Sequence, residues 1–140
     1  MYKKILLPYD GSESSKIALE RLVEFLPIIK GEIVLLAVGR IPEYAETVSE
    51  VEEAEEQANK YYEKILGEAA KILQERGSNP QILIKYGKLG DVIIKTAEEL
   101  QADLIVLGTK KHPTLLNKRT IGPIADKVVE HAHCSVLVVR

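Results

Sequence analysis

The sequence predicts a doubly wound α/β domain, with one five-stranded parallel sheet and helices on both of its faces. Three observations lead there. Five short apolar runs alternate with four helical stretches along the 140 residues. Three of those runs are continuous and branched instead of alternating apolar with polar, the pattern of strands covered on both sides. Strand followed by helix throughout implies βαβ crossovers, which lay successive strands parallel.

The first strand is Ile5-Leu6-Leu7, running out at Asp10-Gly11. Ser12 and Ser14 can cap a helix over residues 13–26, with Ala18, Leu22, Phe25 and Leu26 on one side. The second strand is Ile33-Val34-Leu35-Leu36-Ala37-Val38. A long acidic helix spans residues 46–76 and is closed by Gly77, with Pro80 beyond. Its start is weakly patterned, and its early carboxylates, from Glu43 to Glu56, read as a solvated face. The third strand is Ile82-Leu83-Ile84, followed by a helix over residues 89–100. The fourth is Leu104-Ile105-Val106-Leu107, stopped by Gly108. The last helix starts at Gly122-Pro123, the proline suiting a first helical position, and ends near His131. Val136-Leu137-Val138-Val139 is the fifth strand.

A chain of 140 residues is the usual size of one domain, expected here to cover residues 1–140. Such a length buries roughly two-thirds of its unfolded surface, so no disulfide or metal staple is needed. The net charge of −2 excludes the basic character of a general nucleic-acid binder. One cysteine, Cys134, allows no intrachain disulfide and fits a reducing compartment. Lys3 and Lys4 precede an apolar stretch too short for a secretory core of roughly 7–15 residues. No run approaches the ~20 apolar residues of a membrane span. The expected setting is the cytoplasm, with neither membrane nor nucleic acid as partner.

In doubly wound sheets, ligands sit at the carboxyl ends of the strands where the winding reverses. Two carboxyl-end loops carry unusual chemistry here: Asp10-Gly11-Ser12 after the first strand, and residues 108–122 after the fourth. If those strands are neighbours, the two loops face each other across one crevice.

These loops and their flanks resemble the universal stress protein family. The opening Lys4-Ile5-Leu6-Leu7-Pro8-Tyr9-Asp10-Gly11-Ser12-Glu13-Ser14-Ser15 is similar to its first strand and loop. Gly87-Lys88-Leu89-Gly90-Asp91-Val92-Ile93 and Ala102-Asp103-Leu104-Ile105-Val106-Leu107-Gly108-Thr109 resemble its third helix and fourth strand. Cys134-Ser135-Val136-Leu137-Val138-Val139-Arg140 resembles its last strand. The resemblance implies a Rossmann-like sheet of order 3-2-1-4-5, dimers formed through the last strand near Arg140, and in many members bound ATP, with Mg as the only accompanying metal. It makes Pro8, Asp10, Gly11, Ser12, Val38, Gly108, Thr109, Lys111, Gly122 and Pro123 the candidate nucleotide-binding residues.

The family's phosphate motif is Gly, two residues, Gly, nine residues, then Gly followed by Ser or Thr. Glycines there let backbone amides approach phosphate oxygens beside a helix N-terminus. This chain keeps the first glycine, Gly108, but has Lys111 at the second, and ten residues separate Lys111 from Gly122. Pro123 replaces the hydroxyl residue and removes an amide donor. The expectation is therefore ATP binding that is weak or lost, in a dimeric regulatory module with protein partners. Lys110, Lys111, Lys118 and Arg119, with His112 and Thr114 among them, offer charge in place of the missing amides. The same cluster also suits an ordinary solvated loop.

Other chemistries fit less well. Ser12, Ser14 and Ser15 read as helix-start residues, since there is no Gly-x-Ser-x-Gly elbow. Asp10 reads either as a ligand-positioning residue or as a turn residue capping the next helix. His131-Ala132-His133-Cys134 lacks the four converging ligands of a structural zinc. An ATP-pyrophosphatase-like enzyme would want a fuller Ser-Gly-Gly-x-Asp-Ser loop, and a flavodoxin a hydroxyl-rich one. A ligand-free structural dimer remains the plainest alternative to the binding module.

Overall fold

A computed structural model describes residues 2–40, 47–109 and 121–140. Its elements in order are β1 (Lys4–Pro8), α1 (Glu13–Ile29), β2 (Glu32–Gly39), α2 (Val48–Glu75), β3 (Gln81–Tyr86), α3 (Leu89–Leu100), β4 (Leu104–Gly108), α4 (Pro123–His131) and β5 (Ser135–Val139). The strands pair in parallel in the order β3-β2-β1-β4-β5, as the family resemblance implies.

The continuous apolar runs divide between two cores because successive strand residues point to opposite faces. Ile5, Leu7, Ile33 and Leu35 face α1 and α2, meeting Leu19, Leu22, Leu66 and Leu73. Leu6, Val34, Leu36 and Ile105 face α3 and α4, meeting Ile93, Ala97 and Val128. A sheet buried on both faces has no use for polar residues at alternate positions, which is why these strands read as unbroken apolar runs.

Two helix boundaries differ from expectation. α1 runs three residues past Leu26, through Pro27 to Ile29, and Lys30 then closes it in the left-handed region at φ 53°. The proline forgoes only one backbone bond in a final turn, and the Lys30 amide still donates to the Leu26 carbonyl at 3.1 Å. α2 begins at Val48, where the Thr47 hydroxyl accepts from the Glu50 amide at 3.2 Å. Thr47-Val48-Ser49-Glu50 is a capping-box sequence, a start signal the acidic run conceals. Residue 46, the expected start, lies outside the described residues. At the other end Gly77, at φ 85°, closes α2 as expected, the amides of Gly77 and Ser78 donating to the carbonyls of Gln74 and Leu73. Among the described residues, no helix is long and apolar enough to cross a membrane.

Candidate ligand-binding crevice

β1 and β4 are neighbours, but only through Ile5–Leu104 and Leu6–Ile105. Beyond that point each strand keeps its other partner. β1 follows β2 to the Pro8–Leu36 pair, and the Tyr9 amide donates to the Leu36 carbonyl at 2.8 Å. β4 follows β5 to Gly108–Val139, and the Thr109 amide donates to the Val139 carbonyl at 2.9 Å. Toward their carboxyl ends the two strands are no longer paired with each other, and this is where the strand order reverses, the place a doubly wound sheet offers to a ligand.

Their amino ends are held together by a residue whose role the sequence did not announce. The Asp103 carboxylate accepts from the amides of Lys3 and Lys4 at 2.9 and 3.0 Å, and the Asp103 amide donates to the Lys4 carbonyl at 2.9 Å. Desolvation opposes its ionisation, but the backbone hydrogen bonds, those from Lys3 and Lys4 foremost, together with the N-terminal charge outweigh it and hold the carboxyl below the usual range. One carboxylate thus clamps the end of the β1–β4 pair away from the crevice. The only sequence signal was an aspartate directly before an apolar run.

On the crevice side Asp10 sits at the turn after β1. Its Oδ1 accepts from the Ser12 amide at 2.9 Å and from the Ser15 hydroxyl at 3.0 Å. Desolvation works against its charge, yet hydrogen bonds from Ser12 and Ser15 prevail and lower its pKa. Gly11 supplies φ 80°, and Ile65 of α2 lies 3.6 Å from where a Cβ there would stand. Ser12 is the N-cap of α1, its hydroxyl accepting from the Ser15 amide at 3.3 Å. Asp10, Ser12 and Ser15 thus form one hydrogen-bonded turn, and the helix-start reading of the serines holds.

The site glycine after β4 has a steric duty. A Cβ on Gly108 would fall 2.0 Å from the Ser14 carbonyl oxygen, so the first turn of α1 rides directly on the end of β4. Gly122 takes φ 91° and ψ 158° as the N-cap of α4, with Pro123 in the first turn and no side-chain cap. Lys111, with Lys110, His112, Thr114, Lys118 and Arg119, lies outside the described residues.

Val38 completes the rim by strand geometry. Carbonyls two residues apart along a strand point to the same side. Leu36 O faces β1, so Val38 O faces the same way, just past the end of the β1–β2 ladder. Among the described residues no strand meets it there, and the Tyr62 hydroxyl of α2 donates to it at 3.4 Å. Gly39 O faces the other way and accepts from the Gly87 amide at 3.0 Å. Tyr62 was not foreseen, since an aromatic within a helical run reads as packing.

A cavity of about 490 Å³ lies at the opposite end of the strands, at the amino ends of β1 and β2, among Tyr2, Lys3, Lys4, Lys30 and Gln101. α1 and α3 end there, and the lysines complement the negative ends of those helices. Of the residues weighed as metal ligands, His133 instead meets Glu98 at 3.1 Å, and burial, then the charge of Asp103, push the Cys134 thiol's pKa up.

Comparison with known proteins agrees with this architecture. A family model described as the universal stress protein family matches residues 1–140. A universal stress protein of Methanocaldococcus jannaschii is 30% identical over 148 residues, spanning 100% of this chain and 83% of its own length. The solved structure of a second protein from that organism superposes with a TM-score of 0.85 at 28% identity, covering 99% of this chain and 96% of that one. A universal stress protein family member from Arabidopsis thaliana, solved with AMP bound, shares the fold at a TM-score of 0.69 and 24% identity, over 98% of this chain and 90% of its own.

Proposed function

The chain belongs to the universal stress protein family, and from that premise we propose that it is a regulatory module that takes an adenine nucleotide in the crevice between the carboxyl ends of β1 and β4. One observation carries this reading: the β1–β4 ladder stops after Leu6–Ile105 and leaves Asp10 and the Val38 carbonyl on the rim of the opening. The AMP held by the Arabidopsis protein of the same fold supports it.

The two halves of the site are unequal. On the nucleoside side, Pro8, Asp10, Gly11, Ser12 and Val38 offer a carboxylate and a strand-end carbonyl to sugar and base. On the phosphate side, Gly108 is committed to packing against Ser14, and Pro123 has no amide to give. That leaves Thr109, Gly122 and the basic residue Lys111 for the phosphates of ATP, with Mg accompanying them, so affinity should be modest. The module acts as a homodimer joined through β5, in the cytoplasm, and signals through protein partners.

The test is thermal melting and calorimetric titration with ATP, ADP and AMP. A nucleotide at 100-fold its Kd should stabilise the fold by about 2.7 kcal/mol. No heat and no shift at millimolar nucleotide would leave the ligand-free dimer. That second reading draws on the Asp10 turn, whose hydrogen bonds close on themselves without a ligand.

A further inference from the structure

Val38 O is the first carbonyl of β2 beyond the reach of β1, and it opens on the crevice beside the Asp10 turn. Its hydroxyl partner is held in place from several directions. Tyr62 stands one turn before Ile65, the residue that covers Gly11, so both belong to the same face of α2. Gly39 leaves room for the tyrosines, since a Cβ there would lie 2.6 Å from the Tyr86 ring and 3.4 Å from that of Tyr62. Tyr86 anchors the same stretch of helix through its hydroxyl, which donates to the Glu55 carbonyl and meets the Asn59 side chain. Burial raises the pKa of the Tyr62 hydroxyl, the charge of Asp10 adds to this, and Arg40 opposes it, as expected if all three share the space above β1 and β2.

The bond from Tyr62 to Val38 O, at 3.4 Å, is long for an O–H···O contact, so a better-placed donor can displace it. An exocyclic amino group, as on adenine, is such a donor. A base with an oxo group at that position, as in hypoxanthine, has no donor there for the carbonyl, but that oxygen can accept from the hydroxyl itself.

Resting on the nucleotide reading above, we propose that Tyr62 determines base specificity: its hydroxyl competes with an amino base for Val38 O and serves an oxo base as donor. Tyr62 thereby narrows the preference for adenine over hypoxanthine that the bare carbonyl would impose.

Titration calorimetry of the wild-type chain and Tyr62→Phe with ATP and with ITP tests this. The variant should favour ATP over ITP by about threefold or more relative to wild type, the net worth of one neutral hydrogen bond. Tyr86→Phe removes the hydroxyl that holds α2 without touching Val38 O, and should leave the ratio unchanged. If wild type binds ATP and Tyr62→Phe shows the same ATP-to-ITP ratio, the role of Tyr62 is wrong and the nucleotide reading stands. An equal shift in Tyr86→Phe also overturns it, because loosening of α2 would then be the cause. Binding of neither nucleotide by any of the three proteins defeats the nucleotide reading itself, and this proposal with it.

Discussion

Replacing Gly108 by alanine should destabilise the fold whether or not a nucleotide binds. The new methyl carbon would lie 2.0 Å from the Ser14 carbonyl oxygen, 2.5 Å from its carbonyl carbon and 3.2 Å from the Ser15 nitrogen. Those are backbone atoms in the first turn of α1, and none can rotate away as a side chain would. Ordinary contact between heavy atoms begins near 3.5 Å, so α1 or the end of β4 must shift by more than about 1 Å. Neither is free to do so. β4 is held by β5 through the Thr109–Val139 bond, and α1 buries Ala18, Leu19, Leu22 and Leu26. Overpacking typically costs 1–3 kcal/mol, and a backbone clash belongs at about the upper end. For a chain of this size, about 3 kcal/mol lowers Tm by roughly 10 °C. Gly67 is the internal control, for it lies inside α2 and a Cβ there meets nothing within 4 Å. Gly67→Ala should raise stability by roughly 0.5–1 kcal/mol, because alanine loses less backbone entropy in a helix. Melting of both variants by circular dichroism decides the matter. A Gly108→Ala variant that melts at or above wild type would refute the steric account. Loss of nucleotide binding at unchanged Tm would instead assign Gly108 to the ligand alone.

Asp103→Asn should cost about 1 kcal/mol at neutral pH, since the amide offers one acceptor to two backbone donors and the site is partly solvated. Because the folded carboxyl titrates below its unfolded value of about 3.9, its contribution is complete above about pH 5 and is lost as pH falls through the folded pKa. The stability gap between wild type and variant should therefore shrink on acidification, and a gap of the same size at pH 7 and pH 3 would contradict the clamp. Lys111→Ala should weaken ATP binding on the order of tenfold if a charge replaces the lost glycine contact; unchanged affinity would return that lysine to the solvated surface. Among the described residues β5 is an edge strand with no outer partner, and Val136, Leu137 and Val138 are half-buried; such an apolar edge invites pairing with a second copy. Sedimentation should show dimers at micromolar concentration, and monomers alone would argue against that assembly.

Local signals carried most of the fold. The unbroken branched runs, Gly77 and the Gly122-Pro123 pair each state their element through short-range constraints: both-face burial, positive φ, or a missing amide. That is why the order and type of every element could be read from the chain. What tertiary structure alone decided are the relations between residues far apart in sequence. The Asp103 clamp joins positions about a hundred residues apart, the Gly108–Ser14 contact joins the second glycine-bearing loop to the first helix, and Tyr62 reaches back to Val38. None of these has a periodicity or a motif, because each depends on how two elements happen to meet. Even the crevice belongs to this class. Its two walls were legible, but that their pairing stops after Leu6–Ile105 follows only from each strand keeping its other neighbour once the winding of the sheet reverses.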